Sequence, residues 1–120
     1  MKDSTGDFAR HEAYLDAVSG NGAFELYTGT EPLVVRSVRA GAAGSITALA
    51  NCIPDLFVQL RDALGAGDEA AAARLQEEIT LLKEQTRAEE STVAAIKRRV
   101  RERLAARGVD YPDAPRAPFT

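Results

Sequence analysis

Apolar positions fall in short clusters between glycines along the first half of the chain, and at helical spacing along the second. Phe8, Tyr14, Leu15 and Val18 share one side of a helix predicted over 8–18, with Asp7 placed to cap its start and Ser19-Gly20-Asn21-Gly22 to end it. Phe24-Glu25-Leu26-Tyr27-Thr28 predicts a strand. The loop Gly29-Thr30-Glu31-Pro32 follows, and Pro32 opens a helix over 32–40. Beyond Gly41-Ala42-Ala43-Gly44, the segment Ser45-Ile46-Thr47-Ala48 predicts a second short strand. Ala50-Asn51 then leads to a helix opened by Pro54 and running to Leu64.

From Asp68 the pattern changes. Leu75, Ile79 and Leu82 stripe one helix capped by Asp68, and Val93, Ile96, Val100 and Leu104 stripe another, capped by Ser91 and closed by Gly108. The two are expected to pack as a hairpin. Residues 111–120, with prolines at 112, 115 and 118, predict an extended tail. The βαβα alternation argues for an α/β fold with parallel strands, because a parallel pair needs a crossover and a helix is the usual one. The expected division is 1–66 for the βα units, 67–108 for the helical hairpin and 109–120 for the tail.

Composition narrows the function classes. At 120 residues, 45% apolar and 28% charged, without tryptophan, the chain has the composition of one globular domain. No stretch approaches the roughly 18 apolar residues of a membrane span, and MKDSTGD is not the start of a secretory signal. The expectation is a cytoplasmic protein without membrane contact. Cys52 has no partner for an internal disulfide, and with His11 as the only histidine no zinc-site spacing exists, so neither metal nor cofactor is expected. The net charge is −3, which gives nothing global to attract nucleic acid. A basic cluster at Lys97, Arg98, Arg99, Arg101, Arg103 and Arg107 suits the C-terminal end of a helix and has no interleaved aromatics for base stacking, so no nucleic-acid partner is expected.

Three segments carry candidate chemistry: Lys2-Asp3-Ser4-Thr5-Gly6-Asp7-Phe8, Leu26-Tyr27-Thr28-Gly29-Thr30-Glu31, and the stretch Ala40-Gly41-Ala42-Ala43-Gly44-Ser45-Ile46-Thr47-Ala48-Leu49-Ala50-Asn51. In this order and at βα-unit spacing they resemble the last third of the dihydrodipicolinate synthase and N-acetylneuraminate lyase family. The helices after Pro54, the AIKRR segment at 95–99 and the closing RGVDYPDAPRAPF extend the resemblance over essentially the whole chain. It implies part of a (β/α)8 TIM barrel, from the end of strand 6 through strand 8, followed by C-terminal helices. It also implies an enzyme that joins a lysine to the keto carbon of pyruvate or a related 2-oxo acid as a Schiff base. Such an imine, once protonated, withdraws electrons from the adjacent carbon–carbon bond, so cleavage or addition passes through an enamine. Burial in a barrel mouth favours the neutral, nucleophilic amine.

By this resemblance Lys2 matches the Schiff-base lysine. Ser4 matches a residue that contacts a substrate hydroxyl in the sugar-acid aldolase branch, and reads equally as a turn residue before the helix. Gly29, Thr30 and Glu31 match the loop after strand 7, where a glycine lets backbone approach substrate. Glu31 is a receiver for a substrate hydroxyl or an acid at a helix N-terminus. Ile46 matches the strand-8 position whose carbonyl faces the lysine, its side chain otherwise reading as strand core. Asn51 reads as a turn or cap residue.

The Lys2-Asp3-Ser4 start leans toward aldolases of 2-keto-3-deoxy sugar acids or of 4-hydroxy-2-oxoglutarate. The family's substrate-carboxylate loop and proton-relay tyrosine lie upstream of the lysine strand and have no counterpart here; Tyr14, Tyr27 and Tyr111 stand in other contexts. A full barrel takes about 250 residues, so the chain corresponds to less than half of one. The expected partners are a 2-oxo acid substrate and either further copies or the N-terminal part of the barrel. The competing reading is a non-catalytic remnant or oligomerisation module of the same fold.

Overall fold

The computed structural model of the protein describes residues 1–88, 91–114 and 116. Its elements are β1 (Lys2–Asp3), α1 (Phe8–Val18), β2 (Tyr27–Thr28), α2 (Val34–Arg39), β3 (Gly44–Ser45), α3 (Pro54–Ala66), α4 (Glu69–Arg87) and α5 (Thr92–Ala105). The three strands form one parallel sheet in the order β1-β2-β3, with Lys2, Tyr27 and Gly44 in one row and Asp3, Thr28 and Ser45 in the next. Each strand reaches the next through a helix, as parallel neighbours require.

The strands are shorter than the apolar clusters that predict them. Phe24 belongs to a turn, its N–H donating to the Asn21 carbonyl at 3.0 Å, so regular pairing starts only at Tyr27. The strand expected at 45–48 is Gly44–Ser45, and a 3-10 turn over Leu49–Asn51 takes up the chain soon afterwards. The ladder is extended by single bonds, Tyr27 N–H to Met1 O at 2.9 Å, Gly29 N–H to Asp3 O at 2.6 Å and Ile46 N–H to Thr28 O at 2.9 Å. The helix expected from Pro32 begins as a 3-10 turn, Glu31–Leu33, and becomes α-helical only at Val34. Asp7 caps α1 as its position predicts, accepting from the N–H groups of Ala9 and Arg10, which satisfies donors that a first helical turn leaves free.

The core forms where α2, α3 and α4 meet: Val34 and Val35 pack with Leu60 and Ala63, and with Ala72 and Ile79. Gly67, at φ +69°, ends α3 in the left-handed conformation that glycine adopts without strain, and Asp68 restarts the chain as α4 by accepting from Ala71 N–H. The core therefore runs across the expected boundary between residues 66 and 67. The main partner of α4 is α3, and α5 joins the pair through Ala95, which is buried, and an Arg99 to Thr86 hydrogen bond. After α5 the Asp113 carboxylate pairs with Arg101 at 2.8 Å, and Lys97 donates to the Ala114 carbonyl. Tail prolines 115 and 118 lie outside the described residues. Among the described residues no helix is long and apolar enough to cross a membrane.

Candidate functional site

Successive side chains of a strand point to opposite faces, and the register turns that rule into a site. Asp3 and Thr28 fall on the face covered by helices, and both are buried. Lys2 and Tyr27 occupy the opposite face, where Lys2 is exposed. Ser4 and Gly29 continue that face at the carboxyl ends of β1 and β2. A Cβ built on Gly29 would lie 2.4 Å from Lys2 Cε and 2.0 Å from Ser4 Oγ. Lys2, Ser4 and Gly29 are thus brought together, and a side chain at position 29 would collide with the first two unless they moved aside.

The other expected site residues divide. Thr30 is half-buried, its N–H donating to Thr28 Oγ1 at 3.2 Å. Glu31, expected either to receive a substrate hydroxyl or to sit at a helix start, is buried with its carboxylate committed inside the fold. Oε1 accepts from the N–H groups of Ala48 and Leu49 at 3.1 and 3.2 Å, and Oε2 lies 3.2 Å from Lys83 Nζ. Gln76 of α4 donates to the Glu31 carbonyl and accepts from Val35 N–H. The loops after β2 and β3 are fastened to each other and to α4 through this one side chain. Ile46 follows β3 instead of lying within it, and it is 51% exposed on the face of the sheet that also carries Lys2. Asn51 closes the 3-10 turn, donating from Nδ2 to Ala48 O.

Three residues were not singled out from the sequence. Asp3 directly follows Lys2; its Oδ1 accepts from Thr5 N–H at 3.0 Å and Thr5 Oγ1 at 2.8 Å, and its Oδ2 lies 3.2 Å from His11 Nδ1. Burial alone would raise the Asp3 carboxyl, but the Thr5 hydrogen bonds and His11 outweigh it and hold the group below the usual aspartate range. Tyr27 stands in register with Lys2, packs its ring over Gly44, and donates its hydroxyl to Glu25 at 2.6 Å. That bond and the Glu25 charge push the Tyr27 phenol up. The signals for these residues were the strand alternation itself and the Asp3-x-Thr5 spacing of a side-chain-bonded turn. Among the described residues no three His, Cys, Asp or Glu side chains converge as metal ligands.

The chain matches the family model of the dihydrodipicolinate synthetase family over residues 1–120. It is 35% identical over 74 residues to an uncharacterised DapA-like lyase of Chloroflexus aurantiacus, a match covering 62% of this chain and 24% of that protein. Among solved structures it superposes on a dihydrodipicolinate synthase from Bacteroides thetaiotaomicron with a TM-score of 0.80 at 27% identity, over 98% of this chain and 39% of that one. It also superposes on a dihydrodipicolinate synthase from Acinetobacter baumannii, solved in complex with pyruvate, with a TM-score of 0.72 at 28% identity, over 99% and 38% of the two chains. The chain therefore spans about a quarter of the curated relative (24%) and under two fifths of these solved structures (39% and 38%).

Proposed function

Because the chain belongs to the dihydrodipicolinate synthetase family, we propose that Lys2 is the nucleophile of a lyase or aldolase that forms a Schiff base with pyruvate or a 2-keto-3-deoxy acid. The observation that carries this reading is the convergence of Lys2 Cε and Ser4 Oγ on the bare backbone of Gly29 at the carboxyl ends of parallel strands. In barrels of parallel strands that end bears the chemistry. The uncharged Lys2 amine attacks the keto carbon of the acid, the carbinolamine loses water, and the resulting iminium draws electrons from the neighbouring carbon–carbon bond. Ser4 stands beside the lysine to meet a substrate hydroxyl, and the Gly29-Thr30 backbone leaves room for the acid.

On this reading the strands correspond to the last three of an eight-stranded barrel, residues 67–108 to the C-terminal helices and residues 109–120 to an extended tail. Lys2 and Ile46 are exposed on the open face, so catalysis belongs to an assembly in which further strands cover that face. The test is reductive trapping: borohydride added with pyruvate is expected to leave one reduced-pyruvate adduct on the Lys2 peptide, absent from Lys2→Ala. Label spread equally over other lysines, or retained by Lys2→Ala, would remove Lys2 from the mechanism. That outcome would favour a non-catalytic module of the same fold.

A further inference from the structure

The Lys2 side chain is carried by a strand of only two residues, Lys2–Asp3. On the partner side it is held by Tyr27 N–H to Met1 O and Gly29 N–H to Asp3 O. What fixes it from the helix side is the side chain of Asp3, which is 6% exposed. Both carboxylate oxygens are engaged, Oδ1 by the Thr5 backbone and hydroxyl and Oδ2 by His11 Nδ1. A carboxylate only accepts, so the His11 nitrogen facing it carries the proton.

The anchor is itself anchored. Thr5 Oγ1 accepts from Asp7 N–H, and Asp7 caps α1, the helix that carries His11. The His11 ring is buried beside Phe8, with ring centroids 6.0 Å apart, and the Arg36 guanidinium lies over the Phe8 ring at 3.6 Å. His11 Nε2 is buried without a hydrogen-bond partner. The polar contact of the buried imidazole is thus the one that Nδ1 makes to Asp3.

We infer that Asp3 and His11 form a positioning pair for Lys2: the buried bond behind the strand sets the direction in which the lysine leaves it, and so sets Lys2 Cε against Gly29. Alternation makes the coupling direct, since a roll of β1 that loosens Asp3 from His11 turns Lys2 by the same angle on the other face. The inference rests on the Schiff-base reading of Lys2 for its consequence in rate, and on geometry alone for its consequence in structure.

Two measurements on the full chain separate the two. The first is the limiting rate of reductive trapping of pyruvate at Lys2, with the pyruvate concentration that gives half of it. His11→Leu removes the donor to Asp3, whereas His11→Asn presents an amide N–H where Nδ1 stood. His11→Leu and Asp3→Ala are expected to lower the limiting rate about tenfold or more, with half-saturating pyruvate little changed, and His11→Asn to restore most of it. The second is the nuclear Overhauser contact between the Lys2 ε-methylene and the Gly29 α-protons. It is expected in the parent chain and His11→Asn, and expected to vanish in His11→Leu while the α1 amide pattern persists. If the parent chain takes no label, the Schiff-base reading falls and the Overhauser contact still decides the positioning. Equal trapping and an intact contact in His11→Leu would overturn the inference. So would equal losses in His11→Leu and His11→Asn, because packing and not the donor would then be responsible.

Discussion

Lys2 and Gly29 are complementary: the lysine Cε occupies space 2.4 Å from where any side chain at position 29 would begin. The backbone at 29 is not in the left-handed region, so an alanine there meets crowding and no torsional strain. The crowding atoms, Lys2 Cε and Ser4 Oγ, belong to side chains exposed to solvent that can swing aside cheaply. Gly29→Ala is therefore expected to leave stability within about 1 kcal/mol while displacing the amine, and to reduce reductive trapping at Lys2 by about tenfold or more. Urea unfolding and trapping, run on the same protein, check the two halves of the statement. A trapping rate unchanged by the methyl group would show that the close approach is irrelevant to reactivity.

Glu31 behaves as a fastener, and its removal should be felt in stability. Glu31→Ala leaves the N–H groups of Ala48 and Leu49 and the Lys83 ammonium without their shared acceptor. Charged hydrogen bonds of this kind contribute about 1.5–3 kcal/mol, so a loss of about that size is expected. Glu31→Gln keeps an acceptor for the two amides and should lose clearly less. Chemical denaturation of the two variants gives the comparison, and equal losses would mean that the charge of Lys83 dominates over the loop amides.

The helices were legible in the sequence because their signals are local. Asp7, Asp68 and Ser91 cap where their positions say, and Pro54 opens α3. The strands were legible in place and less so in length, because a two-residue strand is defined by its neighbours' hydrogen bonds and not by its own apolar run. Lys2, Ser4 and Gly29 were found together because motif order carries them. The destination of Glu31 is not legible in the sequence, since its partners Ala48, Leu49 and Lys83 lie 17 to 52 positions on and nothing in the local pattern names them. The pairing of Asp3 with His11 is hidden for the same reason: neither residue signals the other until the fold brings them together.

Acid should weaken the fold through Asp3. Its carboxyl is held below the usual range in the folded chain, burial opposing and the Thr5 and His11 bonds prevailing. A group whose folded pKa is lower than its unfolded one adds stability above the unfolded value and loses it as pH falls through the folded value. Stability is thus expected to decline as pH drops below about 4, and Asp3→Asn, which cannot take up that proton, should show a shallower decline over the same window. Urea midpoints across the acid range read this directly. Parallel curves for the two proteins would assign the decline to other carboxylates.

Most of the basic cluster on and after α5 is engaged inside the chain. Arg103 pairs with Asp55 in the first turn of α3, Arg101 with Asp113, Lys97 donates to Ala114 O and Arg99 reaches Thr86 of α4. These contacts join α5 to the helices it packs on and draw residues 113 and 114 along it, which accounts for a run of cations without invoking an anionic polymer. Arg103 is 33% exposed at its side chain and Asp55 is 65% exposed, so solvent screens the pair and Arg103→Ala is expected to cost only about 0.5–1 kcal/mol, less at high salt. Single- and double-stranded oligonucleotides should show no retention on the immobilised chain at low salt, where any phosphate contact would be strongest. Retention that falls steeply with added salt would return the cluster to the surface as a binding site.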